Sequence, residues 1–171
     1  MVKRYTDGEL KEALSGLTVI CDTREQVNEH VTGYFDRKKI PHITRKLDTG
    51  DYSAMLGGLT MEKDVLIERK HNLDEICGNF TAERERFERE MIRAKALGTK
   101  VFLVIENATW EDVFLGNYRS QLKPQSLAAS LLSWQVKYNL TVLFCKPEST
   151  GKLIYSILYY WAREELLGGH G

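Results

Sequence analysis

Two carboxylates and a lysine raise the first question. Asp51 follows Gly50 and precedes Tyr52, and Glu68-Arg69-Lys70 closes the apolar run Val65-Leu66-Ile67. A carboxylate at the end of a strand that the core claims must point somewhere specific, because an ionised group is expensive to bury unless paired or bound to a metal. Asp51 and Glu68 fall on neighbouring expected strands separated by a turn, so they can converge on one point. Two hard oxygen ligands, with room for waters and a phosphate oxygen, is how Mg2+ or Mn2+ is usually held. Side chains alternate along a strand, so Glu68 and Lys70 share one face and Arg69 takes the other. That sets an ammonium beside the carboxylates, where it could orient a water or offset the charge that develops as a phosphodiester is attacked. Asp22-Thr23-Arg24-Glu25 ends another buried-type run, and Asp74 follows four residues after Lys70.

Positioning such groups takes a core, and the pattern supplies one. Thr6-Asp7-Gly8-Glu9 is a capping box, with Leu10, Ala13 and Leu14 at helical spacing and Gly16 as a stop. Residues 17–21 read as a strand. Val27, Val31 and Tyr34/Phe35 mark a helix that closes in Arg37-Lys38-Lys39. Residues 42–47, 51–55 and 64–69 read as consecutive strands joined by short turns, an antiparallel meander or hairpin, with Gly57-Gly58 as one turn. Phe87, Met91 and Ala94 share one face of a helix over 82–97. Residues 101–105 and 140–145 are buried-type strands, Pro124 opens a helix to Tyr138, and a last helix covers 151–167. The expectation is one α/β domain over residues 1–171, with a central mixed sheet flanked by helices.

Composition excludes several classes of protein. The 171 residues are 43% hydrophobic, enough for a core and against wholesale disorder. The 24 Lys plus Arg balance 24 Asp plus Glu, so any nucleic-acid site must be a local patch. Cys21, Cys77 and Cys145 are too sparse for a disulfide scaffold or a zinc site, and His30, His42, His71 and His170 lack ligand spacing. No apolar run approaches the roughly 20 residues of a membrane helix. These features, with no signal-peptide pattern at the start, predict an intracellular, cytoplasmic protein, nucleoid-associated if prokaryotic or viral.

Taken singly, each charged segment also reads as ordinary, an Asp-Tyr in a turn or a solvated strand exit. Together, Asp51 followed by Glu68-x-Lys70 matches the PD-(D/E)xK nuclease pattern, with Gly50 in place of its proline. The chain resembles the nuclease domain of the XPF family of structure-specific endonucleases, whose signature is GDx, a variable stretch, then ERKxxxD. Here that reads Gly50-Asp51-Tyr52, then Glu68-Arg69-Lys70-His71-Asn72-Leu73-Asp74. The family's VDxRE-like box is Cys21-Asp22-Thr23-Arg24-Glu25, with Cys21 where valine is usual. The resemblance spans roughly residues 17–146. It implies a restriction-endonuclease-like core without the helix-hairpin-helix modules that many members carry.

Residue by residue, the resemblance implies metal ligation by Asp51 and Glu68 with the main-chain carbonyl of Arg69. It makes Lys70 the catalytic lysine and has Asp22 assist the metal or its water. Arg24 and Glu25 would complete the acidic cluster and its ion pairs, and Arg69 and Asp74 would brace the site, Asp74 alternatively capping a helix. The expected activity is Mg2+- or Mn2+-dependent cleavage of branched or flapped DNA in repair or recombination. A non-catalytic DNA-binding module of the same fold, and a junction-resolvase or restriction-type nuclease, are the alternatives. Arg37, Lys38, Lys39 and Lys46, with Arg45, are candidate DNA contacts, as is the polar connection Tyr118, Arg119, Gln121 and Lys123. Leu153, Ile154, Ile157, Leu158 and Trp161, widened by Tyr155, Tyr159 and Tyr160, make a stripe too broad for one contact face, which predicts a homodimer on the last helix.

Overall fold

The computed structural model describes residues 4–168, so His170 and most of the glycine-rich tail lie outside it. Helix α1 (Asp7–Leu14) leads to β1 (Thr18–Cys21), α2 (Glu29–Arg37), β2 (His42–Thr44) and the hairpin of β3 (Tyr52–Leu56) with β4 (Leu59–Thr60). Strand β5 (Val65–Lys70) follows, then α3 (Leu73–Asn79) and α4 (Arg84–Ala96). The chain closes with β6 (Lys100–Glu106), α5 (Trp110–Leu115), α6 (Pro124–Lys137), β7 (Leu140–Cys145) and α7 (Pro147–Leu166).

The strands form one mixed sheet in the order β2-β1-β3-β5-β6-β7, with β4 attached to β3. Strands β5, β6 and β7 run parallel, and β3 is antiparallel to both of its main neighbours, β1 and β5. The α/β class with a helix-flanked mixed sheet is therefore as the pattern predicts. The meander is not. β2 pairs with β1 in parallel, Val19 opposite His42 and Cys21 opposite Thr44, and stands two strands away from β3. Helix α2 makes the crossover that a parallel pair needs, whereas apolar runs name strands without naming their partners.

Alternation sorts the side chains into two cores. Val19, Cys21, Tyr52, Ala54, Val65, Ile67 and Val104 face α1, α2 and α7. Val101, Leu103, Ile105, Leu140 and Val142 face the helices α3 to α6. On that second side Trp134 meets Phe80, Phe87 and Tyr138 with ring centroids 4.7, 5.3 and 5.4 Å away. Phe80 and Tyr138 meet it edge to face, and contacts of this kind add to the burial itself.

Helix α1 has the anticipated capping box, Thr6 with Glu9. Helix α7 begins at Pro147, earlier than the expected Gly151, because proline suits the first helical turn. Its width of apolar surface has an internal explanation. Ile154, Leu158 and Ala162 are buried, and Leu153, Tyr155, Ile157, Tyr159 and Trp161 pack half-buried on the same core as α1 and α2. The second side of the stripe is thus partly covered within the chain, while Tyr160 stays 60% exposed beside a shallow apolar depression lined by Phe102, Ile157 and Trp161. Among the described residues no helix is long and apolar enough to cross a membrane. All three cysteines are free.

Candidate active site

Three consecutive residues of β5 are divided between the two faces of the sheet. Glu68 and Lys70 point to the α4 side, and Arg69 to the α2 and α7 side. Lys70 Nζ donates to Glu68 Oε1 at 2.8 Å, both side chains nearly buried. Asp51 precedes β3 and continues its pairing on both sides: its N–H donates to the Ile67 carbonyl, and its carbonyl accepts from Asp22 N–H, each at 2.8 Å. Its carboxylate Oδ2 accepts from the Arg69 N–H at 2.7 Å. Gly50 makes the turn into Asp51 at φ +76°, where a Cβ would lie 3.2 Å from Leu66 Cβ. Glycine is needed there for conformation and for space.

These groups line a cleft of about 240 Å3 together with Asp22, Arg24, Asp48, Thr49, Asn79, Arg86, Phe87 and Glu90. The sheet and the loop 48–50 form one wall and α4 the other. Phe87 lies 5.4 Å from the Lys70 ammonium, so one side of the lysine meets an aromatic face.

The electrostatics are those of a site short of positive charge. Burial pushes the Asp51 carboxyl well above its ordinary range, and the neighbouring Glu68 and Glu25 charges push it further. Burial and Glu68 likewise raise Glu90. Burial alone would lower Lys70, but the Glu68 contact and Asp51 outweigh it and hold the ammonium charged. Among the described residues, the Asn79 Oδ1 is a buried acceptor with no hydrogen-bond partner, and it belongs to this cleft. An orphaned acceptor beside like-charged carboxylates fits a site that receives a cation or a donor.

Among the described residues no group of three or more His, Cys, Asp and Glu side chains gathers closely enough to hold a metal. Asp51 and Glu68 are a pair. A pair suits Mg2+, which is commonly held by one or two carboxylates plus water and substrate phosphate.

Asp22 sits in the cleft wall with its lone pairs engaged. Oδ2 accepts from Arg24 N at 2.8 Å and Arg24 Nε at 2.7 Å; Oδ1 accepts from Leu47 N at 2.6 Å and Arg24 Nη2 at 3.2 Å. Burial opposes its ionisation, yet the Arg24 and Leu47 bonds win and hold the carboxyl below its usual range. As placed, it fastens the loop that leads to Asp51. Glu25 is not in the cleft: it binds Arg69 on the other face, at 2.7 and 2.9 Å. Asp74 accepts from the N–H groups of Ser120 at 2.8 Å and Arg119 at 2.9 Å, fastening that connection to α3. The cap of α3 is Asn72, so the helix-cap reading of Asp74 gives way to the brace.

The basic stretch is split by the fold. Lys46 adjoins Leu47 at the cleft end of β1. Arg37, Lys38 and Lys39 close α2 at the opposite end, because α2 carries the chain back to the start of β2. Arg86 and Glu90 of the cleft were not singled out in the sequence, although a helix with Phe87, Met91 and Ala94 inward must set positions 86 and 90 at the border of that face. Glu106 was missed as well. It ends an apolar strand, as Glu68 follows Val65-Leu66-Ile67, and the same reasoning applies to both.

The sequence pattern of the ERCC4 domain matches residues 21–157. Among solved structures the chain is similar to XPF from Aeropyrum pernix, with TM-score 0.64 and 21% identity over 86% of this chain and 63% of that one. It is also similar to XPF from Aeropyrum pernix in complex with DNA, with TM-score 0.63 and 19% identity over 85% and 65%. The chain thus spans a little under two thirds of those proteins, and the likeness shows a shared fold. No curated protein sequence matches it.

Proposed function

Because this chain belongs to the ERCC4 domain family, we propose that it is a divalent-metal-dependent endonuclease that hydrolyses phosphodiester bonds in DNA. The observation that carries the proposal is the convergence of Asp51, Glu68 and Lys70 on one cleft whose buried carboxylates lack enough positive charge. Asp51 and Glu68 would hold Mg2+ or Mn2+. When bound, such an ion polarises a phosphate oxygen and lowers the pKa of a water molecule.

The chain's own groups do the rest. The Arg69 N–H fixes the orientation of the Asp51 carboxylate. Lys70, held against Glu68 and beside Asp51, is placed to hold a water or a phosphate oxygen and to offset developing negative charge. Phe87 keeps one side of the site apolar. Arg24 and Arg86, with side chains 60% and 66% exposed at the cleft, are placed to meet flanking phosphates. DNA as the partner is supported by the shared fold of a protein solved with DNA.

Pairing of two copies is proposed on a different surface from α7. Phe114 and Leu115 of α5 are 58% and 73% exposed, and Leu132 and Val136 of the adjoining α6 are 47% and 90% exposed. Leu132 and Val136 are one turn apart, on a helix side without a charged neighbour between them.

The functional test is a panel of end-labelled linear, nicked, flapped and branched duplexes incubated with the protein in Mg2+ or Mn2+. Cleavage that favours flapped or branched forms supports a structure-specific enzyme, and equal cleavage of all duplexes supports a restriction-type nuclease. Binding without cleavage of any member would replace the enzyme with the DNA-binding module.

A further inference from the structure

Behind the sheet, opposite the cleft, lies a buried polar cluster centred on Arg69. Its guanidinium is fully buried. It donates to Glu25 Oε2 at 2.9 Å and Oε1 at 2.7 Å, to Glu106 Oε2 at 3.2 Å, and to the carbonyls of Gln26 and Val27 at 3.0 and 3.3 Å. Nη1 also lies 3.1 Å from His71 Nδ1. Glu106, 2% exposed, is aimed by two further elements: Thr150 Oγ1 of α7 donates to its Oε1 at 2.6 Å, and His30 Nε2 of α2 lies 2.7 Å from the same oxygen. Four elements, β5, β6, α2 and α7, therefore meet at one carboxylate.

Stability alone is a weak reason for this cluster, because buried ion pairs are often no better than apolar residues of the same volume. The backbone around it is also held in uncommon conformations. Val27, whose carbonyl Arg69 binds, has φ 52°, a genuine outlier for a β-branched residue; Asn107, next to Glu106, has φ 56° and donates to the His71 carbonyl at 3.2 Å. Bonds from Glu25, Glu106, Gln26 and Val27, the last on a strained backbone, fix one guanidinium from several sides. The consequence lies on the other face. The Arg69 main chain joins Glu68 to Lys70, and its N–H is the donor that orients Asp51.

We infer that Glu106 is a positioning residue for the cleft: by fixing the Arg69 guanidinium from behind the sheet, it fixes the peptide that orients Asp51 and spaces Glu68 from Lys70. The inference deepens the nuclease reading and rests on it. His30 and Thr150 keep Glu106 in place and touch nothing in the cleft.

The test is Glu106→Gln, which keeps the shape and one acceptor while removing the charge that holds Arg69. Three readouts are compared with the parent: exchange of the Arg69 amide proton in metal-free protein by NMR, the Mn2+ dissociation constant by calorimetry, and kcat against KM on the best DNA substrate. The expected result is faster exchange at Arg69 with Val65 and Ile67 unchanged, Mn2+ affinity weakened about 10- to 100-fold, and kcat reduced similarly at constant KM. Parental amide exchange and Mn2+ affinity in folded Glu106→Gln would overturn the inference. If the parent itself binds no Mn2+, the nuclease reading fails, while the Arg69 amide still decides the role of Glu106. Should Glu106→Gln not fold, His30→Gln at its half-buried site must show the same pattern in weaker form. A folded His30→Gln protein with parental Arg69 exchange would overturn the inference equally.

Discussion

Asp22 offers a quantitative test of how the cleft is built, through Asp22→Ala and Asp22→Asn. In the folded protein its carboxylate accepts four hydrogen bonds, three from Arg24 and one from the Leu47 N–H. Alanine leaves the Leu47 N–H buried without an acceptor, at about 1–3 kcal/mol. The Arg24 side chain is 60% exposed and rehydrates, so loss of that pair adds only about 1 kcal/mol or less. The sum, roughly 1–4 kcal/mol, corresponds to a fall in Tm of about 2–16 °C for a chain of this length. Asparagine keeps an acceptor for Leu47 and should lose only about 1 kcal/mol.

The pH dependence has a definite sign. The Asp22 carboxyl is held below its ordinary value, so its stabilisation is complete above about pH 4 and is lost as pH falls through the lowered value. Parent and Asp22→Ala should therefore differ most at neutral pH and converge toward pH 3 in thermal melts of metal-free protein. Equal melting at pH 7, or a gap undiminished at pH 3, would refute the reasoning. Calorimetry with Mn2+ then separates clamp from ligand. Asp22→Asn should bind Mn2+ with nearly parental affinity, and a tenfold loss would mean that Arg24 releases Asp22 to the metal.

Three further outcomes follow from the geometry. Asp51 is held above its ordinary value by burial and by Glu68 and Glu25, so the metal-free fold loses stability as pH rises through that raised value. Asp51→Asn should melt higher than the parent at pH 8 without metal, the gap growing by at most about 1.4 kcal/mol per pH unit and closing near pH 4, and Mn2+ should raise the Tm of the parent alone. Gly50→Ala forces a side chain into φ +76° against Leu66 and the Ile67 carbonyl, so it should cost about 1–2 kcal/mol in a urea titration and slow DNA cleavage several-fold. Phe114→Asp with Leu132→Asp should convert a dimer to a monomer in sedimentation at tens of micromolar, and a parent that already sediments as a monomer ends the pairing proposal.

Most of the site could be read in the sequence because it is written at the scale of one strand. Alternation along Val65–Lys70 is enough to put Glu68 with Lys70 and to send Arg69 the other way. The turn before Asp51 is announced by Gly50. What could not be read depends on partners distant in sequence. Residues 42–47 are recognisable as extended, but only the helix between them and β1 makes the pairing parallel and carries Lys38 away from the cleft. Helices α3 and α5, at seven and six residues, are too short to show a period. The breadth of the α7 stripe is visible, but its cover is not, because α1 and α2 come from the other end of the chain. Glu25 carries the same charge as Asp22 three residues earlier, and only the buried guanidinium of Arg69 explains why the two part company.

In the proposed function Asp51, Glu68 and Lys70 would form a metal-dependent phosphodiesterase centre. The most direct measurement is the rate of strand cleavage of a labelled flapped or branched duplex in Mn2+ by the parent, Glu68→Gln and Lys70→Ala, with DNA affinity measured in Ca2+ in parallel. The parent should cut and both variants should lose at least about 100-fold in rate while binding DNA as tightly as the parent or more so, with Mn2+ affinity lost in Glu68→Gln and retained in Lys70→Ala. Cleavage at the parental rate by folded Glu68→Gln would contradict the account.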